Sequence, residues 1–122
     1  MIVAGFGFRA QASVASLHDA LTRAAAGRSV SLLAAPADKA SAACIQDLAR
    51  RIGLAVVPID ASALSAVSTA SHSPQAVAAR ATGSVAEAAA MAAAGAEATL
   101  LTARVISTDR MATCALAEGG NW

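Results

Sequence analysis

The residues of this 122-residue chain that could do chemistry fall in three short segments: Gly5-Phe6-Gly7-Phe8-Arg9, Ala37-Asp38-Lys39-Ala40 and Thr82-Gly83-Ser84-Val85-Ala86-Glu87. A fourth stretch surrounds Ser73 and Pro74. Each segment stands where a strand should hand over to a helix. Glycine at such a junction lets a ligand approach the backbone, and the free N–H groups of a helix start favour negative charge. Arg9 and Lys39 add full positive charge beside them. The chemistry this combination suits is recognition of an acidic ligand along one edge of a domain.

Other chemistries fit less well. Gly5-x-Gly7-x-x-Ala10 satisfies the dinucleotide fingerprint formally, but that reading also wants an acidic residue at the end of the second strand. Leu32-Leu33-Ala34-Ala35 offers none, and the glycines serve equally well to make a tight strand-to-helix turn. Ser84 and Glu87 have capping-box spacing, which accounts for Glu87 without a ligand. Asp38 could cap a turn or orient Lys39, and Arg80 and Arg104 read as ordinary surface cations. His18 and His72 are too far apart to declare a metal site, no cofactor is implied, and no nucleophile signature is present. If protons are moved at all, Glu87, His72 and Asp38 are the weak candidates for it. Cys44 and Cys114 are widely spaced and read as buried free thiols, one on a helix and one on a strand.

The elements that position these segments follow from the apolar pattern. Ile2 to Phe6 reads as a strand, and from Ser13 onward Val14, Leu17 and Leu21 mark a helix that Gly27 should stop. Ser29 to Ala35 reads as a buried strand ending at Pro36, Ser41 as the cap of a helix to Ile52, and Gly53 as its end before the strand Leu54 to Ile59. Strands separated by helices imply parallel crossovers. A short helical piece near Ala61 to Val67 and a Ser/Thr-rich loop lead to the helix start at Ser73-Pro74. The helix begun at Ser84 should end at Gly95. Ala98 to Val105 and Met111 to Leu116 read as an antiparallel hairpin, joined by Ser107-Thr108-Asp109-Arg110, at one side of the sheet, and Glu118 to Trp122 as a frayed tail.

The expected fold class is therefore α/β: a single three-layer domain over residues 1–122, with a mostly parallel sheet of about five strands covered by helices and a C-terminal antiparallel hairpin. Aromatic residues make up only 2% against 57% hydrophobic, so the core must be built from Ala, Val, Ile and Leu packed closely. A net charge of +1 with so few aromatics gives no basic field or stacking platform for nucleic acid. The start of the chain has no basic region of a signal peptide, and the alanine-rich stretch Val85 to Ala96 is too short for a bilayer and carries Glu87. A cytoplasmic protein with no membrane partner is expected.

Taken together, Val3-Ala4-Gly5-Phe6-Gly7-Phe8-Arg9, the Ala37-Asp38-Lys39-Ala40 turn, the Ser73 helix start with Val77, the run from Thr82 to Ala90 and the closing Ala112-Thr113-Cys114-Ala115-Leu116-Ala117 resemble the CobE family. That family is the stand-alone relative of the C-terminal domain of the cobalamin-biosynthesis protein CbiG. The resemblance covers essentially the whole chain, with one departure: where the family often has a lysine-rich segment after the penultimate strand, Thr102-Ala103-Arg104-Val105 offers only Arg104. It implies a role in making the corrin ring of vitamin B12, with a corrin-ring or precorrin intermediate as ligand and other pathway enzymes as further partners. The expected ligand-binding set is Gly5, Gly7, Phe8, Arg9, Lys39, Ser73, Gly83 and Ser84, with Asp38 and Glu87 as organisers. Phe8 and Phe6 are the available walls for the apolar face of the ring, unless Phe6 points into the core. A precorrin-processing hydrolase or lyase and a docking module for pathway enzymes are the competing readings.

Overall fold

The computed structural model describes residues 1–60, 62–63, 85–95 and 98–119. The first half alternates strand and helix: β1 (Ile2–Phe8), α1 (Val14–Ala25), β2 (Leu32–Pro36), the single-turn α2 (Ala37–Ala40), α3 (Ala43–Ile52) and β3 (Val56–Ile59). The second half contains α4 (Val85–Ala94), β4 (Thr99–Ile106) and β5 (Ala112–Glu118). The five strands form one open sheet in the order β3-β2-β1-β5-β4.

The pairing corrects the expectation of a mostly parallel sheet. β1 with β2 and β2 with β3 are parallel, whereas β1 with β5 and β5 with β4 are antiparallel, so the sheet is mixed. The hairpin does lie at one side of the sheet, but its second strand pairs along the whole of β1, from Ile2 opposite Glu118 to Phe8 opposite Ala112. Of the tail expected to fray, Glu118 instead belongs to β5 and the Gly119 N–H donates to the Met1 carbonyl at 2.9 Å, while residues 120–122 lie outside the described residues.

Local chemistry explains most element boundaries. Ser13 and Ser16 form a reciprocal capping box at the start of α1, each hydroxyl accepting the other's backbone N–H at 3.2 Å. The helix ends one residue before the expected glycine, with Ala26 itself left-handed at φ 48°. Gly53, at φ 71°, closes α3 as expected, its N–H reaching the Ala49 carbonyl. Ser41 does not cap α3. Asp38 and Lys39 wind into α2, Ser41 ends that turn, and Ala42 precedes α3 without a side-chain cap.

Helices cover both faces. On one, α1 and α3 bury Leu17, Leu21, Ile45 and Leu48 against Ala4, Phe6, Leu33, Cys114 and Leu116. On the other, α4 buries Ala89, Ala90 and Ala94 against Val3, Ala34, Ile59 and Ala117. Phe6 is fully buried, so it belongs to the core and forms no ligand wall. Cys114 is fully buried, which pushes its thiol pKa strongly upward. Cys44 is only half-buried, contrary to its expected burial, and its thiol is pushed up chiefly by partial desolvation. Among the described residues no helix is long and apolar enough to cross a membrane, and no group of three or more metal-ligating side chains occurs.

Candidate functional site

Two antiparallel steps separate β1 from β4, so β1, β2 and β4 all end at the same edge of the sheet, where β5 begins. α1 leaves the end of β1 on one face of the sheet, whereas α4 packs on the other. Edges of this kind, beyond the carboxyl ends of strands where connections diverge, leave a crevice in open α/β sheets. Here the crevice is a cavity of about 680 Å³, within the usual range of small-molecule pockets.

Its lining joins segments distant in sequence: Gly7, Phe8 and Arg9 from the end of β1, Pro36, Asp38 and Lys39 from β2 and α2, and Val85 from the start of α4. Arg104 and Ile106 of β4 complete it, with Arg110, Met111, Ala112 and Thr113 at the entry to β5. Among the described residues Arg9, Lys39, Arg104 and Arg110 are its cations and Asp38 its one carboxylate, so this lining is more positive than the chain as a whole, at +1. Lys39 Nζ stands 5.5 Å from the centroid of the Phe8 ring, a cation–π contact that fixes both side chains at the cavity wall.

Of the residues expected to bind a ligand, Gly7, Phe8, Arg9, Asp38 and Lys39 come together here. Gly5 does not. It is buried beneath α4, where an added Cβ would overlap the Ala86 carbonyl oxygen and sit 2.5 Å from the Ala90 nitrogen. Its lack of a side chain lets the helix lie on the strand. Gly7 is tight as well: a Cβ there would lie 3.0 Å from Thr113 Oγ1, which donates to the Gly7 carbonyl at 3.2 Å. Glu87 stands behind the cavity wall, its Oε2 accepting the Arg104 backbone N–H at 2.9 Å, so it ties α4 to β4 beside a cavity-lining residue. Ser73, Gly83 and Ser84 lie outside the described residues, as do His72, Arg80 and most of the helical piece expected near Ala61 to Val67.

The turn between β4 and β5 contributes most of what the sequence reading missed. Arg110 sits there at φ 61°, a left-handed conformation that costs a non-glycine residue roughly 1–2 kcal/mol. Ser107 is buried, and its hydroxyl donates to Asp109 Oδ1 at 2.6 Å while accepting the N–H groups of Met111 and Ala112. The other Asp109 oxygen accepts from Ser16 Oγ at 2.5 Å. Asp19 accepts the Thr108 N–H at 2.7 Å and its hydroxyl at 2.9 Å, and Arg23 donates to that hydroxyl. Hydrogen bonds from Ser107 and Ser16 hold the Asp109 carboxyl below the usual range, and those from Thr108 do the same for Asp19. On the inner side, the Arg9 N–H donates to the Met111 carbonyl at 2.9 Å, locking the turn to the end of β1. No local signal exposes Arg110 and Thr113, because they reach the cleft only through the pairing of β5 with β1, which brings the hairpin turn beside the first glycine segment.

The fold class is an open five-stranded α/β sheet with helices on both faces and a basic, partly aromatic cleft at the strand ends, and comparison with known proteins specifies it further. Residues 2–117 match the family model described as Cobalamin synthesis G C-terminus, and the chain belongs to that family. Its structure is similar to that of the cobalamin biosynthesis protein chiG from Agrobacterium tumefaciens str. C58, with a TM-score of 0.80 and 29% identity over 99% of this chain and 100% of that one. CobE, a protein from the cobalamin (vitamin B12) biosynthetic pathway, matches with a TM-score of 0.78 and 34% identity over 96% of this chain and 89% of that one. A cobalamin biosynthesis protein G homolog from Sulfolobus solfataricus shares the fold, with a TM-score of 0.72 and 16% identity; the match covers 95% of this chain but only 36% of that longer one. No curated protein sequence matches the chain.

Proposed function

We propose that this chain binds corrin-ring intermediates of cobalamin biosynthesis and carries them between pathway enzymes in the cytoplasm. The observation that supports this most is the convergence of Arg9, Lys39, Arg104 and Arg110 with the Phe8 ring on one cavity at the strand ends. A corrinoid acid presents acetate and propionate carboxylates around the rim of a macrocycle whose faces are apolar, and the cleft offers cations around an apolar wall of Phe8, Val85 and Ile106. Membership of the cobalamin synthesis family supports a ring intermediate as the ligand class.

Magnitudes divide the labour between rim and face. Carboxylate contacts at Arg9, Lys39 and Arg110, at up to about 1 kcal/mol each, reach about 3 kcal/mol, weaker than a millimolar dissociation constant. Tighter binding depends on burying the macrocycle face, at about 25 cal/mol for each Å² of apolar surface removed from water. Charge selects and orients the ring, and the apolar wall retains it.

A second reading, a hydrolase or lyase acting on a precorrin, is favoured by one observation: Asp38 lies inside the cleft, where it could take or give a proton. Titration with hydrogenobyrinic acid and an earlier precorrin, followed by absorbance at two salt concentrations, separates the readings. Stoichiometric binding with a stable ligand spectrum, weakened by salt, is expected of a carrier. Turnover of the spectrum would replace the carrier by the enzyme. A failure to bind any ring would leave docking of pathway enzymes as the surviving function.

A further inference from the structure

The turn from Ser107 to Met111 is attached more firmly than a hairpin connection needs. A short hairpin turn closes through its own backbone bonds, and this one has them, with the Ser107 N–H donating to the Ala112 carbonyl and the Arg110 N–H to the Ser107 carbonyl. It is additionally held to α1 by Asp109 accepting from Ser16 and by Asp19 and Arg23 gripping Thr108, groups 85 to 93 residues away in sequence. Between these anchors stands Arg110, in a backbone conformation glycine would adopt without strain, yet it carries the longest cationic side chain available and lines the cleft. Strain at a non-glycine residue persists where the surroundings over-determine it, and such places cluster at ligand clamps.

We propose that this turn is the charge-selecting jaw of the cleft: Arg110 pairs with one carboxylate on the rim of the bound ring, and Asp109, through Ser16 of α1, is the positioning residue that fixes it. The inference rests on the binding function proposed above. It makes the turn the place where the protein distinguishes a ring bearing free acid groups from one of the same shape whose acids are converted to amides, because a guanidinium donates two parallel hydrogen bonds to a carboxylate and gains far less from a neutral amide. It also assigns α1, which contributes no lining residue, a part in recognition.

The test uses hydrogenobyrinic acid and a derivative of it with acetate side chains amidated, each titrated against the whole chain. The unmodified protein should prefer the acid. Arg110→Ala should lower affinity for the acid about five- to tenfold and leave the amidated ring nearly unaffected, so that the preference collapses. Arg110→Lys should keep part of it. Arg110→Gly separates recognition from folding, since it removes the left-handed strain: Tm should hold or rise while the preference is lost. Asp109→Asn should reduce the preference in the same direction, and the double variant with Arg110→Ala should be no worse than Arg110→Ala alone, because both act through one contact. Equal weakening toward both rings in Arg110→Ala, or effects of Asp109→Asn and Arg110→Ala that add, would overturn the jaw while leaving ring binding standing. An unmodified protein that binds neither ring would overturn the binding function, and the jaw with it.

Discussion

The two faces of the sheet are packed by opposite means. Beneath α1 and α3 the interface is thick and made of large side chains, with Phe6, Leu17, Leu33, Ile45, Leu48 and Leu116 all fully buried. Beneath α4 it is thin: Ala89, Ala90 and Ala94 face Val3, Ala34 and Ala117, and at Gly5 the strand and helix backbones meet with no side chain between them. The thick face holds the fold by the apolar volume it removes from water. The thin face brings the first turn of α4, and with it Val85, down to the end of β1, where the cleft opens. One face is built for stability and the other for placement, so substitutions on them should fail in opposite directions.

The largest effect is expected from filling the thin face. Gly5→Leu cannot be accommodated without moving α4, and overpacking that usually costs about 1–3 kcal/mol should here cost more, leaving α4 undocked and no cooperative melting transition. A Gly5→Leu protein that melts like the parent would break the comparison. Next comes truncation of the thick face: Leu48→Ala should lose about 2–5 kcal/mol by urea denaturation through lost burial and a residual cavity. Ala90→Val sharpens the contrast, since a larger side chain on the thin face should cost about 1–3 kcal/mol although it adds apolar surface.

The smallest effect should come from the β4–β5 turn, which borders the cleft without belonging to either packed face. Asp109 and Asp19 are held below the usual carboxylate range by their hydrogen bonds. Their contribution is therefore present in full above about pH 4 and lost as pH falls through their lowered values. Asp109→Asn should lower Tm slightly at pH 7, and its difference from the parent should shrink as the pH is taken below about 4. A difference independent of pH would mean that the carboxylate charge does nothing for the turn.

How much of this was legible in the sequence follows the same division. The βα half could be read because its signals are local: aliphatic runs mark strands, Val14, Leu17 and Leu21 in α1 and Ile45, Leu48 and Ile52 in α3 recur at helical spacing, and Gly53 stops α3 where the pattern ends. The thinness of the α4 face was announced by its alanines. The mixed sheet was not, because nothing within Ala112 to Glu118 says that this strand will pair with β1, and that pairing sets the share of antiparallel contacts. Residues named at the ends of β1 and β2 reached the cleft because a strand's carboxyl end is fixed by local sequence. Gly5 was misassigned because a glycine that admits a ligand and a glycine that admits a helix look alike until the helix is placed. Arg110 was overlooked because the turn reaches the cleft through long-range partners, the β5–β1 pairing and a contact between Ser16 and Asp109 that spans 93 residues.

The most direct test of the central claim, that the strand-end cleft receives the ring, is an amide chemical-shift titration of the ¹⁵N-labelled protein with hydrogenobyrinic acid. A bound macrocycle changes the environment of nearby amides whatever contacts it makes. Among the described residues, the largest shifts are expected at Gly7, Phe8, Arg9, Asp38, Lys39 and Arg110 to Thr113, with the outward face of α3, including Arg50 and Arg51, unmoved. Shifts centred on α3 or on the outer edge of β3, with the strand-end amides unchanged, would contradict it.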